Sequence, residues 1–262
     1  MRFWKWHALG NSYLLVERAE LGRPLDSELA CRICDVDYGI GSDGVLEVVA
    51  ADGDEAEIVI WNPDGSVAEF SGNGSRIAAA WLAGRAGTER VTIATSGRTY
   101  PARVRDDGTI AMAVGDVEVG EIETVEIDGE RIELTVVSVG NPHAVVRANL
   151  VRAELLRLGP RIETSERFPQ RTNVQLVRVD GPHEVTALVW ERGAGETSAS
   201  GSSAVAVASA AIANGWCESP VTVHMPGGEL RVELDEENSL TLVGPAEEIC
   251  EGELTEHDKE AH

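Results

Sequence analysis

Two stretches of the chain place a serine where chemistry at a single carbon could use it. The first runs from Trp61 through Asn62, Pro63, Asp64 and Gly65 to Ser71-Gly72-Asn73-Gly74-Ser75. The second runs from Trp190 through Glu191, Arg192 and Gly193 to Ser200-Gly201-Ser202-Ser203. In each, a Trp closes an apolar strand-like run, a Gly-bearing polar loop follows, and a Ser-Gly pair ten residues after the Trp opens an Ala-rich helix. A helix N-terminus carries unpaired N–H groups and a partial positive charge, which suits it to an anion. Two such ends would grip a carboxylate and set Ser71 and Ser200 on opposite sides of the carbon bearing it. The reaction that most needs this arrangement is racemisation without a cofactor, in which one group removes a proton beside a carboxylate and its counterpart returns one to the other face. Serine is also among the best N-cap residues, worth roughly 1 kcal/mol against Ala, so capping and catalysis both stand open for Ser71 and Ser200.

The two stretches are offset by 129 residues, close to half of the 262-residue chain, which predicts two domains of related fold. Acidic residues number 45 against 22 basic, for a formal net charge of −23, so phosphate backbones and anionic membranes are repelled and neither nucleic acid nor membrane is an expected partner. Four cysteines and the absence of a charged-then-apolar leader predict a cytoplasmic protein with reduced thiols. Cys31 and Cys34 lack a second pair or a His cluster, so they read as two thiols one helical turn apart and no metal site is expected.

The positioning elements follow from pattern. Phe3 to Glu17 reads as two strands about a turn at His7 to Ser12, and Asp26 to Asp35 as a helix capped by Asp26 or Ser27. Gly39, Gly41 and Gly44 precede a strand, whereas a dinucleotide fingerprint opens a helix after one, so that reading is rejected. A strand ends at Trp61, a helix covers about Asn73 to Ala83 with Gly84 and Gly87 stopping it, and short strands extend to Val114. The second half repeats the order: strands at 125–127, 131–139 and 144–146 with a turn at Gly140 to His143, a helix at 153–158, strands at 174–179 and 184–190, a helix at about 202–214, and three closing strands. The segment Ala204 to Ala213 is almost wholly small and apolar and shows no polar stripe, so it belongs inside a closed sheet. The tail beyond Cys250 is acidic and expected to fray.

Taken in order, His7 to Tyr13, Gly39 to Gly44, Asn62 to Gly74, Gly140-Asn141-Pro142-His143, Arg171 to Val174 and Glu191 to Thr197 resemble the diaminopimelate epimerase family of cofactor-independent racemases and isomerases, from Phe3 to about Glu253. The resemblance implies an α+β fold of two pseudo-symmetric domains, each a curved, barrel-like antiparallel sheet around a central helix, with the site in the cleft between. The domains would be 1–116, with 248–262 packing back on it, and 117–247. It implies that Asn11, Asn62, Asn141, Asn173, Glu191 and Arg192 hold the two ends of an amino-acid substrate. Gly72, Asn73, Gly201 and Ser202 would receive the reacting carboxylate, and His143 would line the site. No cofactor is implied, a homodimer is left open, and the pathway is lysine biosynthesis or secondary metabolism; beside proton transfer at an α-carbon, another reaction of the same cleft (cyclisation, elimination or double-bond isomerisation) and amino-acid binding without catalysis stay open. The departure lies at the reacting groups: the family's two cysteines are Ser71 and Ser200 here. A thiol titrates near 8.5 and a helix N-terminus lowers it, whereas an aliphatic hydroxyl needs a second base, for which His143 and Glu191 are the nearest candidates.

Overall fold

In the computed structural model, which describes residues 1–21, 23–235 and 239–254, the chain divides into two units. One is Met1–Ile110 with the described residues from Pro245 on; the other is Ala111–Gly244.

The first unit is built from β1 (Arg2–Ala8), β2 (Asn11–Glu17), α1 (Arg18–Leu21), α2 (Ser27–Cys34), β3 (Val45–Asp52), β4 (Glu55–Trp61), β5 (Val67–Ala68), α3 (Gly72–Ala86), β6 (Arg90–Thr95) and β7 (Arg98–Val104), closed by the last strand of the chain, β18 (Glu247–Glu253). Backbone pairing runs β18-β1-β2-β3-β4-β6-β7, with β5 folded back on β4. Helix α3 packs against β1, β2, β3, β4, β6 and β7, so the sheet wraps it. That burial on every side is why its sequence shows no polar stripe: Ile77, Ala78, Ala79, Trp81, Leu82 and Ala83 are all buried.

The second unit contains β8 (Ile110–Ala113), β9 (Glu118–Ile127), β10 (Glu130–Ser138), β11 (Pro142–Arg147), α4 (Arg152–Glu163), β12 (Asn173–Gly181), β13 (Glu184–Glu191), β14 (Gly195–Thr197), α5 (Gly201–Ala213), β15 (Val221–Met225), β16 (Gly228–Leu234) and β17 (Leu240–Gly244). The order is β9-β10-β11-β12-β13-β15-β16-β17, the same path as in the first unit, and α5 contacts all eight strands. Corresponding rows match: Leu14, Val45 and Trp61 are cross-strand neighbours in one unit, Ala144, Val174 and Trp190 in the other.

Several expectations are corrected. The sheets are mixed, because β2–β3, β4–β6, β11–β12 and β13–β15 pair in parallel; β3 and β6 follow crossovers that contain α2 and α3, as parallel neighbours require. Gly84 lies within α3, which ends only at Gly87, where φ of 66° supplies the left-handed cap. Helix α4 runs five residues past its expected end and accommodates Pro160 internally. The unit boundary falls before residue 116 because β8 pairs with β17, Val114 N–H reaching Leu240 O at 3.0 Å. Beyond Cys250, residues 251–253 are paired with β1, and residues 255–262 lie outside the described residues. No helix among the described residues is long and apolar enough to cross a membrane.

Candidate active site

In the first unit the site begins at a two-residue turn. Leu9 and Gly10 both adopt positive φ, 54° and 83°, which matches the twist of a tight hairpin and makes Asn11 the first residue of β2. Tyr13 then points, buried, toward the start of α3, where its hydroxyl lies 3.1 Å from Ser71 Oγ. Ser71 is the N-cap: its backbone is extended and its Oγ accepts the Gly74 N–H at 3.0 Å. Asn73 Nδ2 donates to Asn11 Oδ1 at 3.1 Å, and Asn73 Oδ1 accepts from Arg76 Nη2 at 2.8 Å. Arg76 also donates to Gly72 O at 3.0 Å, so Asn11, Asn73, Arg76 and Gly72 form one hydrogen-bonded group next to Ser71 in the chain. Asn62 stands apart from it, its amide donating to Ser66 Oγ within its own turn.

Arg76 is fully buried, and among the described residues no carboxylate pairs with it. Burial pushes its guanidinium down to about 9, which leaves it charged at neutral pH. A buried cation added to the positive end of α3 makes the start of this helix favour an anion.

In the second unit the same backbone carries different chemistry. Ser200 is extended like Ser71, but its Oγ caps no helix N–H; it donates to Glu191 Oε2 at 3.1 Å. Glu191 ends β13, and β14 folds back so that Gly195 pairs with it, which carries the chain on to Ser200. Burial raises the Glu191 carboxyl above its usual range, opposed by the Ser200 hydrogen bond among others. Gly201 and Ser202 are buried at the helix start. Asn173, the first residue of β12, donates to Pro142 O at 3.0 Å and accepts the Arg192 N–H at 2.9 Å, while the Arg192 residue itself is exposed.

His143 occupies the row position of Tyr13, each one residue before its matching strand neighbour. Its Nδ1 lies 3.0 Å from Gln175 Nε2, an amide donor, so Nδ1 accepts and the proton sits on Nε2, 2.9 Å from Asn141 Oδ1. The same Gln175 amide donates to Ser203 Oγ at 3.0 Å. Full burial, reinforced by the Arg192 charge, lowers the imidazole to about 3. His143 is therefore a neutral ring with both nitrogens occupied.

Both signature tryptophans are anchored by carboxylates: Trp61 Nε1 donates to Glu47 Oε2 at 3.1 Å, and Trp190 Nε1 to Glu163 Oε2 at 2.7 Å. Glu163 Oε1 also accepts the Gly193 N–H at 2.9 Å, tying the loop after Glu191. Tyr13, Arg76, Gln175 and Glu163 were not among the residues singled out from sequence. The one available signal was the indole N–H of a buried Trp, which requires an acceptor.

Gly44 packs the site from behind: a Cβ there would lie 2.5 Å from the Tyr13 ring and 2.6 Å from Trp61 O. Gly44→Ala is expected to cost about 1–3 kcal/mol and to shift Tyr13 away from Ser71, measurable as a lower urea midpoint together with changed tyrosine fluorescence.

The family model described as diaminopimelate epimerase matches residues 3–120 and 135–249. The diaminopimelate epimerase of Pseudomonas entomophila is 36% identical over 272 residues, covering 97% of this chain and 99% of that one. That of Desulfitobacterium hafniense is 35% identical over 282 residues, covering 98% and 99%. Among solved structures, a hydroxyproline epimerase from Agrobacterium vitis superposes with a TM-score of 0.71 at 15% identity, covering 96% of this chain and 91% of that one. A phenazine biosynthesis protein of the PhzF family from Bacillus anthracis superposes with a TM-score of 0.68 at 15% identity, covering 97% and 99%. At such identities the superpositions speak for the fold alone, whereas the family match spans nearly the whole chain: it belongs to the diaminopimelate epimerase family.

Proposed function

We propose that this isomerase moves a proton at the α-carbon of an amino-acid-type substrate without a cofactor, with Ser71 and Ser200 as the groups nearest the reacting carbon. The observation that supports it most is the bond from Ser200 Oγ to Glu191, 3.1 Å long. A serine hydroxyl is too weak a base to act alone, but a carboxylate in contact can take the serine's proton as the serine takes the substrate's. Electrons released at carbon move into the substrate carboxylate, whose charge the start of α3 and the buried Arg76 stabilise. Asn11, Asn73, Asn141, Asn173 and Arg192 then hold the substrate's polar ends. His143 is assigned to positioning Asn141 rather than to proton transfer, since neither ring nitrogen is free to receive a proton.

The names of the relatives make diaminopimelate the first substrate to test. Proton NMR of LL-diaminopimelate in deuterium oxide is expected to show loss of the α-proton signal and appearance of the meso isomer with the wild-type protein. If exchange occurs only after Ser71→Cys/Ser200→Cys, the natural chain does not carry out this chemistry and the proposal fails.

A further inference from the structure

Arg76 stands where two effects oppose a positive charge. It is fully buried, and its guanidinium reaches back to the first residues of α3, the positive end of the helix dipole. No carboxylate pairs with it among the described residues, and its Nε makes no hydrogen bond. Packing alone would be served as well by an apolar side chain of similar volume, since replacing a buried charge in that way is often neutral or stabilising. What the guanidinium adds is direction, because it carries N–H donors and no acceptor.

That direction passes along two amides of the same unit. An asparagine amide accepts through its oxygen and donates through its nitrogen, and it fits either way round unless a neighbour settles which. Arg76 Nη2, a donor only, lies 2.8 Å from the Asn73 oxygen. The Asn73 nitrogen is thereby turned to Asn11 and donates to the Asn11 oxygen at 3.1 Å. Asn73 is buried and Asn11 half-buried. The bond from Asn73 is the one side-chain hydrogen bond of Asn11 among the described residues, so Asn11 Nδ2 keeps both N–H groups for a ligand.

We propose that Arg76 is a positioning residue that acts through Asn73 to hold the Asn11 amide with its N–H groups free, so that Asn11 takes a carboxylate oxygen of the substrate and not its ammonium group. The inference rests on the reading in the preceding section, in which Asn11 holds a polar end of the substrate, and adds which group it holds and what orients it. An ammonium group has donors alone and finds no acceptor at Asn11 Nδ2. A carboxylate has acceptors alone, and a hydrogen bond to it is stronger than one between neutral groups.

The orientation is read first on the free protein. Asn11→Ala identifies the Asn11 side-chain amide in a nitrogen-15 spectrum by its loss, and exchange of its protons with water is then measured in wild type. Both protons are expected to exchange within ~10-fold of an asparagine amide in an unstructured peptide. One proton slowed by ~10²-fold or more would mean that Asn11 donates to Asn73, and overturns the proposal.

Calorimetric binding of LL-diaminopimelate reads the group that Asn11 takes. Asn11→Asp keeps the oxygen that accepts from Asn73 and turns the free donor into a second oxygen. It is expected to weaken binding ~10-fold or more beyond Asn11→Ala, because it sets one carboxylate against another. Binding by Asn11→Asp as tight as by Asn11→Ala, or tighter, would give Asn11 to the ammonium group and sinks the proposal. Arg76→Met is expected to raise Kd ~10-fold in the wild-type background and no more than ~2-fold in Asn11→Ala, the non-additivity of residues that act through one another. Equal losses in the two backgrounds would reduce Arg76 to stability or charge alone and remove its positioning role. Should Arg76→Met fail to fold, the order of the two Asn11 variants and the amide exchange still test the orientation. If the wild-type protein binds no diaminopimelate, the reading of the preceding section fails, while amide exchange still decides which way Asn11 is turned.

Discussion

Glu191→Gln lowers the rate of α-proton exchange by about 10²–10⁴-fold, the usual contribution of a positioned general base. The amide has the shape of the carboxylate and can still accept the Ser200 hydroxyl proton as a hydrogen bond, so the fold and the helix start are kept. It cannot take the proton away. Among the described residues Ser200 Oγ bonds to Glu191 and to no helix N–H, so no other contact there stands in for the carboxylate. The loss should appear in kcat with KM for diaminopimelate little changed, because the substituted atom acts on a proton rather than on the substrate's charged ends. A variant with unchanged exchange would show that Ser200 is activated from elsewhere. A variant with raised KM and intact kcat would make Glu191 a binding residue alone.

The second large effect is on stability and concerns His143. Its native imidazole is held to about 3, chiefly by burial, against an ordinary value of 6.5 in the unfolded chain. Above pH 6.5 both states are neutral and the residue contributes no pH dependence. As pH falls below 6.5 the unfolded chain takes up a proton that the native state refuses, so stability is lost at about 1.4 kcal/mol per pH unit until the native value is reached. His143→Gln removes the titration while offering an amide to Asn141. In urea unfolding at pH 8, 6, 5 and 4, the advantage of wild type over the variant should be constant down to about 6.5 and then shrink, by about 3 kcal/mol at pH 4. A difference that stays constant from pH 8 to 4 would mean that His143 titrates normally in the native protein.

Much of this architecture could be read in the sequence because it rests on local signals. The run at 204–213, apolar but for Ser209, reads as a helix enclosed by a sheet, and α5 touches eight strands. The paired Trp-to-Ser stretches exposed the duplication. What escaped depends on partners distant in sequence. Parallel pairing leaves no local trace, since β2 reads the same whether β3 runs with it or against it. Strand β9 extends back to Glu118, masked by a run of exposed acidic residues that pairing with β10 holds in place. Pro160 reads as a helix stop, yet α4 continues to Glu163, whose carboxylate takes the Trp190 indole and the Gly193 amide. At the site, Ser71 and Ser200 are indistinguishable by sequence context. The difference lies in Tyr13, which is 58 residues from Ser71, and in whether a helix N–H claims the hydroxyl.

The shared strand path of the two units, with Tyr13 and His143 at the same place in it, bears on how such a protein can evolve. A homodimer formed about a two-fold axis must present identical side chains on its two halves, because every substitution occurs twice. Once the halves are joined in one chain that constraint is gone. One copy can keep a phenol where the other acquires an imidazole, and a backbone duplication becomes a device whose two sides mutate independently.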